Sequence, residues 1–247
     1  MTDSTGHHFM QATKYDYLEP SPQSQNHPQP PLELPVPDDA PRIDLPAPDT
    51  LELAPVNLRE VITDRTTIRN YTGKLMSQAE LSHLLWCTQG VKETRDTYAT
   101  LRTVPSAGAR HAFETYLLIN DVEGLEPGLY RYVALEHKLI AFELGEDLAE
   151  RVTAACLHQE MVARSAVTFI WGAVVERMTW RYVERGYRYL HLDAGHVCQN
   201  LYLAAQVIDC GVCAIGAFND DAINELLKMD GETQFVIYIA TVGKRKV

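Results

Sequence analysis

Residues 193–208 read DAGHVCQNLYLAAQVI, and residues 212–218, which follow them closely, read VCAIGAF. The first run is apolar nearly all round when it is drawn as a helix, which is typical of a helix buried on most sides. The second run is short and apolar, which is typical of a buried strand. A long buried helix that leads into a buried strand indicates a packed core built from both kinds of element.

Elements of both kinds are predicted along the rest of the chain. Ser77 and Glu80 have the spacing of a capping box and predict a helix that ends at Gly90. Further helices are predicted at residues 147–163, 178–189 and 222–228, the last with Asp220 as its cap. Strands are predicted at residues 113–119, 129–133, 139–144, 166–171 and 235–242. These elements do not repeat as strand–helix–strand units, so the predicted fold class is α+β.

The first 57 residues differ in composition from the rest. Of the 13 prolines, 11 lie between Pro20 and Pro55, and residues 1–57 hold nine acidic and two basic side chains. Because proline lacks a backbone N–H and breaks helix interiors, this part is predicted to be extended. We therefore predict a Pro-rich acidic extension over residues 1–57 and a domain over residues 58–247. Disorder is favoured for residues 1–20, while residues 40–57 form either a flexible tail or a strap across the domain or a partner subunit.

The net charge of −11 and the hydropathy pattern exclude several classes of protein. A chain without a long basic stripe is a poor partner for nucleic acid. No apolar run approaches the roughly 20 residues of a membrane helix, and the N-terminus shows no secretory signal. Five scattered cysteines in such a chain are expected to be reduced thiols. We therefore predict a cytoplasmic protein with neither nucleic-acid nor membrane partners.

Three short motifs are candidate ligand sites. In residues 65–69 (RTTIR) two guanidiniums four residues apart can bind a phosphate dianion, although they are alternatively solvated surface arginines. In residues 105–108 (PSAG) small side chains let the backbone approach a flat ligand, and the alternative is a tight turn. Gly216 and Ala217 follow a predicted strand and can aim backbone N–H groups at an electron-accepting ring, and the alternative is a packing glycine.

A fourth motif, residues 180–189 (WRYVERGYRY), mixes aromatic side chains with three arginines. It suits stacking over a ring or an interface, and the alternative is an amphipathic helix with solvated arginines. Cys210 and Cys213 have redox-pair spacing, but they follow a helix instead of starting one, and no second pair completes a metal site. His191 and His196 would point about 140° apart on a helix, so no metal site is predicted.

Taken in order along the chain, the motifs carry a resemblance to a family. The matching residues are 65–71 (RTTIRNY), 81–86 (LSHLLW), 105–108 (PSAG), 128–132 (GLYRY), 181–189 (RYVERGYRY), 193–201 (DAGHVCQNL), 215–218 (IGAF) and 242–244 (VGK). Over roughly residues 58–247 the chain resembles the nitroreductase-fold flavoproteins, and among them the SagB/ThcOx-type dehydrogenases. The resemblance implies a central mixed or antiparallel sheet flanked by helices, in an intertwined homodimer with residues 193–201 on the helix between the subunits.

The resemblance also implies FMN at the subunit interface. The flavin phosphate and ribityl chain would be held by Arg65, Thr66, Thr67 and Arg69, with Lys244 and Arg245 as additional phosphate ligands. The isoalloxazine ring would be lined by Pro105, Ser106, Ala107 and Gly108. Backbone N–H groups of Gly216 and Ala217 would face the N5 edge of the ring.

The subgroup is similar to enzymes that oxidise thiazolines and oxazolines in modified peptides. There a base removes a carbon-bound proton, hydride passes to flavin N5, and O2 reoxidises the flavin. Where the family commonly has a Lys-Tyr pair, this chain has Arg181 and Tyr182. Because arginine does not release its proton at neutral pH, Tyr182 is the predicted base, and Arg181 assists it or steers an anionic substrate.

The predicted function is therefore FMN-dependent oxidation of a biosynthetic intermediate that is a small molecule or is bound to a carrier or a peptide. O2 is the expected electron acceptor. Two alternatives stay open at this point. One is an NAD(P)H-dependent nitro- or quinone reductase, and the other is a catalytically silent scaffold partner in a modifying complex.

Overall fold

The computed structural model describes residues 4–246. The strands are β1 (Arg42–Asp44), β2 (Val91–Arg95), β3 (Ala99–Arg102), β4 (Phe113–Ile119), β5 (Gly128–Val133), β6 (Lys138–Leu144), β7 (Val167–Val174), β8 (Cys210–Ile215) and β9 (Gln234–Lys244). The α-helices are α1 (Thr5–Ala12), α2 (Leu58–Asp64), α3 (Gln78–Gln89), α4 (Leu148–Ala155), α5 (Met161–Arg164), α6 (Val175–Tyr182), α7 (Gly186–Gln206) and α8 (Asp220–Leu226).

Seven strands form one antiparallel sheet in the order β1-β6-β5-β4-β7-β9-β8, while β2 and β3 form a separate hairpin. Successive side chains of β7 enter two cores on opposite faces of the sheet. Phe169 and Trp171 pack in the core that includes α3 and α7, and Ile170 packs in the core that includes α4 and α8. The fold is therefore α+β with helices on both faces of the sheet, as predicted, and the sheet is antiparallel throughout.

Local signals in the sequence are confirmed at several elements. The Ser77 hydroxyl accepts from the Glu80 amide at 3.2 Å, and the Glu80 carboxylate accepts from the Ser77 amide at 3.0 Å, so the capping box of α3 is present. The five strands predicted at 113–119, 129–133, 139–144, 166–171 and 235–242 correspond to β4, β5, β6, β7 and β9. The predicted helix at 193–208 is the C-terminal part of α7. Within residues 4–246, no helix has both the length and the apolar character required to pass through a bilayer.

Two predicted helices are interrupted in the structure. The prediction of one helix over residues 147–163 is wrong, because Leu157 and His158 have φ of 56° and 59° between α4 and α5. The prediction of one helix over residues 178–189 is also wrong, because Val183, with φ of 43°, separates α6 from α7. A residue in the left-handed region cannot continue a right-handed helix.

The segment after β8 also differs from the prediction. β8 ends at Ile215, so residues 216–218 lie in a loop instead of in the strand. The prediction of Asp220 as the cap of α8 is wrong by one residue. The Asn219 side chain accepts from the Ala222 amide at 3.0 Å and caps a helix that already includes Asp220. Asn and Asp are equally good caps, so composition alone does not choose between these neighbours.

Residues 4–57 lie along the domain and contact it at several points. The Arg188 guanidinium donates to the Met10 carbonyl and to the Thr13 hydroxyl, at the end of α1. Trp180 Nε1 donates to the His27 carbonyl at 3.0 Å. Further along, β1 joins the edge of the sheet beside β6. The extension thus contributes both an edge strand and hydrogen-bond acceptors to the fold.

A buried ion pair lies beneath the extension. Arg177 Nη2 and Glu114 Oε1 are 2.6 Å apart, and both side chains are 3% exposed. The Leu34 amide donates to the same carboxylate oxygen at 2.8 Å, and Arg177 Nε donates to the Pro31 carbonyl at 2.8 Å. Hydrogen bonds to the remaining polar atoms offset the desolvation cost of a buried ion pair, and the extension supplies two of these partners. Arg177 Nη1 is buried and has no hydrogen-bond partner within residues 4–246.

Candidate functional site

The Arg65–Arg69 segment is fixed between β8 and α7. The Ile68 amide donates to the Val212 carbonyl of β8 at 2.9 Å. The Thr67 hydroxyl lies 3.2 Å from the Tyr202 hydroxyl of α7, and the Arg65 guanidinium lies over the Tyr202 ring at 5.2 Å from its centroid. The structure therefore brings Arg65 and Thr67 together on one anchoring tyrosine, with Thr66 exposed between them.

A cavity of about 350 Å³ adjoins this segment and is lined by Thr67, Ile68, Arg69, Asn70, Arg245 and Lys246. No carboxylate lines it, although the Arg245 guanidinium contacts Asp209 Oδ1 at 3.1 Å on one side. A cationic pocket with a threonine in its wall suits a phosphate. Lys244 is not among the lining residues, because its ammonium pairs with Glu80 and donates to the Ile208 carbonyl at 3.0 Å.

The second group of predicted site residues meets at Gly108. Gly108 has φ of 58°, and a Cβ added there would lie 2.5 Å from the Tyr182 hydroxyl and 3.0 Å from Arg181 Nε. Glycine is required at this position both by the backbone conformation and by the space that the two side chains occupy. The structure thus places the turn of residues 105–108 directly against Arg181 and Tyr182.

The backbone after Gly108 is also unusual. Ala109 and His111 have φ of 54° and 44°, which non-glycine residues adopt at an energetic cost. The Ser106 hydroxyl accepts from the His111 amide at 2.9 Å and stabilises this conformation. Burial, together with nearby Arg102 and Arg110, lowers the pKa of His111 to about 3. His111 is therefore a neutral side chain that supports the turn.

Asp193 of α7 is a site residue that sequence reasoning did not assign to this turn. Its carboxylate accepts from the Ala107 amide at 3.2 Å, and the residue is 4% exposed. Burial raises the pKa of this carboxyl, and the hydrogen bonds from Ser106 and Ala107 lower it in part. The available signal is the one acidic residue of α7. The sequence suggests Asp193 as a metal ligand with His191 and His196, which their spacing disfavours, and as part of a helix between subunits.

Arg181 and Tyr182 occupy the last turn of α6. A cation in this position is favoured by the helix dipole. Arg181 lies over the Tyr182 ring at 5.6 Å and donates to the Tyr98 hydroxyl at 3.4 Å. The Tyr182 ring packs edge-on against Tyr189 at 4.8 Å between centroids. Tyr98 belongs to the β2–β3 hairpin, and nothing in its sequence surroundings pointed to this contact.

Gly216 and Ala217 lie apart from both groups, in the exposed loop after β8. A Cβ added at Gly216 would meet no atom within 4 Å, so the backbone faces open space. Gln159 Nε2 donates to the Ala217 carbonyl at 2.8 Å and fixes the loop. Within one chain the predicted site residues therefore form three separate groups.

The chain is similar to known proteins in both sequence and structure. The nitroreductase family matches residues 62–244 of the chain. The nitroreductase homologue MJ1384 of Methanocaldococcus jannaschii is 34% identical over 202 residues, which is 80% of this chain and 98% of MJ1384. The trifolitoxin-processing protein TfxB of Rhizobium leguminosarum bv. trifolii is 30% identical over 146 residues, which is 56% of this chain but 39% of TfxB.

Among solved structures, a nitroreductase-family protein from Anabaena variabilis ATCC 29413 superposes with a TM-score of 0.69 at 28% identity. The alignment covers 85% of this chain and 42% of the Anabaena chain. This chain thus spans less than half of the TfxB and Anabaena proteins and nearly all of MJ1384. The family match covers most of the sequence and confirms the resemblance seen in the motifs. The chain belongs to the nitroreductase family.

Proposed function

We propose that this protein is an FMN-dependent oxidoreductase that dehydrogenates a biosynthetic intermediate, either a small molecule or one bound to a carrier or a peptide, with O2 as electron acceptor. The observation that carries the proposal is the contact of the Gly108 turn with Arg181 and Tyr182. This contact places the Tyr182 phenol and the Arg181 guanidinium against the backbone of the small residues in the turn. The relationship to TfxB, a trifolitoxin-processing protein, favours a peptide-bound substrate.

The residues present fit a flavin mononucleotide. The cavity beside Thr67 offers Arg69, Arg245 and Lys246 and no carboxylate, which suits the phosphate. At the other end of β8, the open space at Gly216 lets a planar ring approach the backbone. Bound in this way, FMN would take up the hydride that the substrate loses, at its N5 atom.

We assign the phosphate and the ribityl chain to Thr67, Arg69 and Arg245, which line the cationic cavity. Arg65 and Thr66 stay in this set as predictions, since they adjoin the segment but do not line the cavity, and the Arg65 guanidinium lies over the Tyr202 ring. Lys244 remains a predicted phosphate ligand, although its ammonium pairs with Glu80 in this structure. The ring is assigned to the small residues of the two loops, Pro105, Ser106, Ala107, Gly108, Gly216 and Ala217.

A homodimer is part of the proposal. Asp193 holds the turn of residues 105–108, and Tyr202 holds the Arg65–Arg69 segment. The two residues are nine positions apart on α7, so about 14 Å of helix separates these two groups of site residues within one chain. The outward face of α7 carries Leu192, which is 59% exposed, and Gly195, where a Cβ would meet nothing within 4 Å. A second copy packed on this face would bury Leu192 and approach closely at Gly195.

Tyr182 is the proposed proton acceptor. Its hydroxyl stands against the Gly108 turn, beside the Arg181 guanidinium, in a position to accept a carbon-bound proton from a substrate. Arg181 keeps its own proton at neutral pH and acts through its charge and its N–H groups. Gly108 contributes by leaving the space that the phenol occupies.

An NAD(P)H-dependent nitro- or quinone reductase is the second candidate, and the relationship to the nitroreductase homologue MJ1384 favours it. Anaerobic mixing with NADPH separates the two, since rapid flavin bleaching supports the reductase and an unchanged flavin spectrum supports the oxidase. A cytoplasmic location accompanies either proposal, because all five cysteines are free thiols, as expected in a reducing compartment.

The proposal is tested by incubating the purified full-length protein with FMN and removing free flavin by gel filtration. A retained flavin spectrum is expected, and a protein that stays colourless would overturn the proposal. The same preparation with Tyr182→Phe should keep the flavin and lose oxidase activity. Activity of a modifying complex that survives both Tyr182→Phe and Arg69→Ala would instead show that the chain is a catalytically silent scaffold.

A further inference from the structure

Two guanidiniums reach the Gly108 turn from different sides. Arg110 Nε donates to the Gly108 carbonyl at 3.1 Å, and Arg110 Nη2 donates to the Tyr98 carbonyl at 3.0 Å. Arg181 Nε lies 3.0 Å from the position that a Cβ of Gly108 would take. Arg110 is 3% exposed, so one of the two cations is almost fully buried.

Aromatic rings hold both guanidiniums in place. Arg110 lies over the rings of Tyr98 and Trp180, at 5.2 and 5.4 Å from their centroids. Arg181 lies over Tyr182, and it donates to the Tyr98 hydroxyl at 3.4 Å. Stacking on a ring face leaves the edge of a guanidinium open to hydrogen-bond acceptors. Arg110 uses Nε and Nη2 on the two carbonyls, and its Nη1 makes no hydrogen bond within residues 4–246, so Nη1 is the group left for an oxyanion. Both cations are therefore oriented before any ligand binds.

Neither cation has a carboxylate partner within residues 4–246, since no acidic oxygen lies within 4 Å of Arg110 or Arg181 there. The buried Arg177, by contrast, is paired with Glu114 at 2.6 Å. Burial and the neighbouring Arg181 lower the pKa of Arg110, because desolvation and like-charge repulsion both disfavour its charged form, while Tyr98 and Tyr182 raise it. An anion between two such cations would relieve both effects.

We propose that Arg110 and Arg181 form an oxyanion subsite beside Tyr182, which binds a carboxylate or phosphate group carried by the substrate. The inference rests on the proposed function for the role of Tyr182 and adds the chemical class of the substrate. Charge-assisted contacts from two guanidiniums that are held in place fix such a group in position and orientation. The reacting carbon then lies close to the anionic group, next to the Tyr182 hydroxyl.

The extension sets the position of this subsite. Gln29 Nε2 donates to the Tyr98 carbonyl at 2.9 Å, and Gln23 Nε2 donates to the Tyr98 hydroxyl at 3.3 Å. Tyr98 in turn contacts both Arg110 and Arg181. Tyr98 is thus a positioning residue, held by two glutamines that lie outside the part of the chain matched to the family.

The subsite is tested by calorimetric titration of the 247-residue chain, saturated with FMN so that the cationic cavity beside Thr67 is filled, with benzoate and, separately, with inorganic phosphate at constant ionic strength. We expect saturable binding of at least one probe, and the one that binds more tightly identifies the group as carboxylate or phosphate. Arg181→Gln should weaken that binding at least tenfold, because a charge-assisted contact is lost. Arg164→Gln, in an exposed pair on α5, is the matched control and should bind as the wild type does.

Absence of binding by both probes, or equal affinity in the wild type and Arg181→Gln, would overturn the inference. Since Arg110 is buried, Arg110→Lys keeps the charge, removes the planar fork and serves as a second variant, with weaker binding expected in a protein of unchanged circular dichroism. An FMN titration of the flavin-free wild type separates the two proposals, since a wild type that takes up no FMN but still binds benzoate contradicts only the proposed function.

Discussion

Asp193 accepts a hydrogen bond from the Ala107 amide at 3.2 Å, so the long helix α7 holds the turn that carries Gly108. The bond joins residues 86 positions apart in the chain and connects the dimer face proposed for α7 with the proposed proton acceptor. Because the carboxyl is buried, its contribution to stability depends on its charge as well as on this bond.

Replacement of Asp193 tests that balance. Asp193→Ala leaves the Ala107 amide unpaired and should cost about 1–3 kcal/mol of unfolding free energy. Asp193→Asn keeps an acceptor oxygen and removes the charge. Since the folded protein raises the pKa of this carboxyl, the wild type should lose stability relative to Asp193→Asn as the pH rises above the ordinary Asp range near 4. Urea unfolding at several pH values measures the difference, and the opposite sign would contradict the assignment.

Gly108→Ala tests the contact with Tyr182. The substitution adds both a strained φ and a Cβ 2.5 Å from the Tyr182 hydroxyl, so it should displace the phenol and abolish oxidase activity. Gly73→Ala is a matched control, because Gly73 has φ of 69° but open space around its Cβ position. The control should lose only about 1 kcal/mol of stability and keep its activity. Equal activity of the two variants would remove Gly108 from the site.

Arg65→Ala tests the proposed phosphate cradle. Loss of a charge-assisted contact of about 1.5–3 kcal/mol should weaken FMN binding tenfold or more. Arg59→Ala, on the exposed surface of α2, changes the net charge equally and should leave FMN affinity unaltered. Flavin fluorescence quenching gives both constants. If both variants bind FMN as tightly as the wild type, Arg65 does not contact the phosphate.

Arg177→Ala tests the buried pair beneath the extension. The substitution leaves Glu114 buried without its partner and should cost about 3–5 kcal/mol of stability. Arg164→Ala removes an exposed pair and should cost no more than about 1 kcal/mol. Hydrogen exchange of the Leu34 amide reports on the same site, because that amide donates to Glu114. Faster exchange at Leu34 in Arg177→Ala alone is expected, and unchanged exchange would show that the extension docks independently of the pair.

Signals within a few residues of sequence predicted much of the fold. The capping box at Ser77, the apolar helix around Leu201 and the alternating strands are local patterns, and the structure confirms them. The break at Val183 was not predicted in this way, because Val183 is itself β-branched and the nearest glycine, Gly186, lies three residues later, at the start of α7. Tertiary packing imposes the left-handed conformation of Val183 against local helix preference.

The sequence predicted most of the residues proposed for the candidate site, but it did not predict which of them lie close together. Sequence indicated the small-residue turn at Gly108 and the phenol of Tyr182, but the contact between them depends on the sheet and α6 together. The pairing of Lys244 with Glu80 was not predictable for the same reason, since the two residues are 164 positions apart in the chain. Nothing in the sequence around Tyr98 or Arg110 marks them as site residues. Their role depends on their contacts with each other and on the contact of Tyr98 with Arg181, which only the folded chain brings about.

The contacts of the extension also fix the order in which the chain can assemble during synthesis. Pro31 leaves the ribosome 146 residues before its partner Arg177, and Thr13 leaves 175 residues before Arg188. Thr13 and Pro31 must therefore wait for these partners while the strands β2 to β7 are made. The many prolines of the extension and its excess of acidic side chains keep such a segment from collapsing or pairing with other nascent chains in the meantime. The composition that marks the extension in the sequence is thus suited to a segment that is translated well before its partners Arg177 and Arg188.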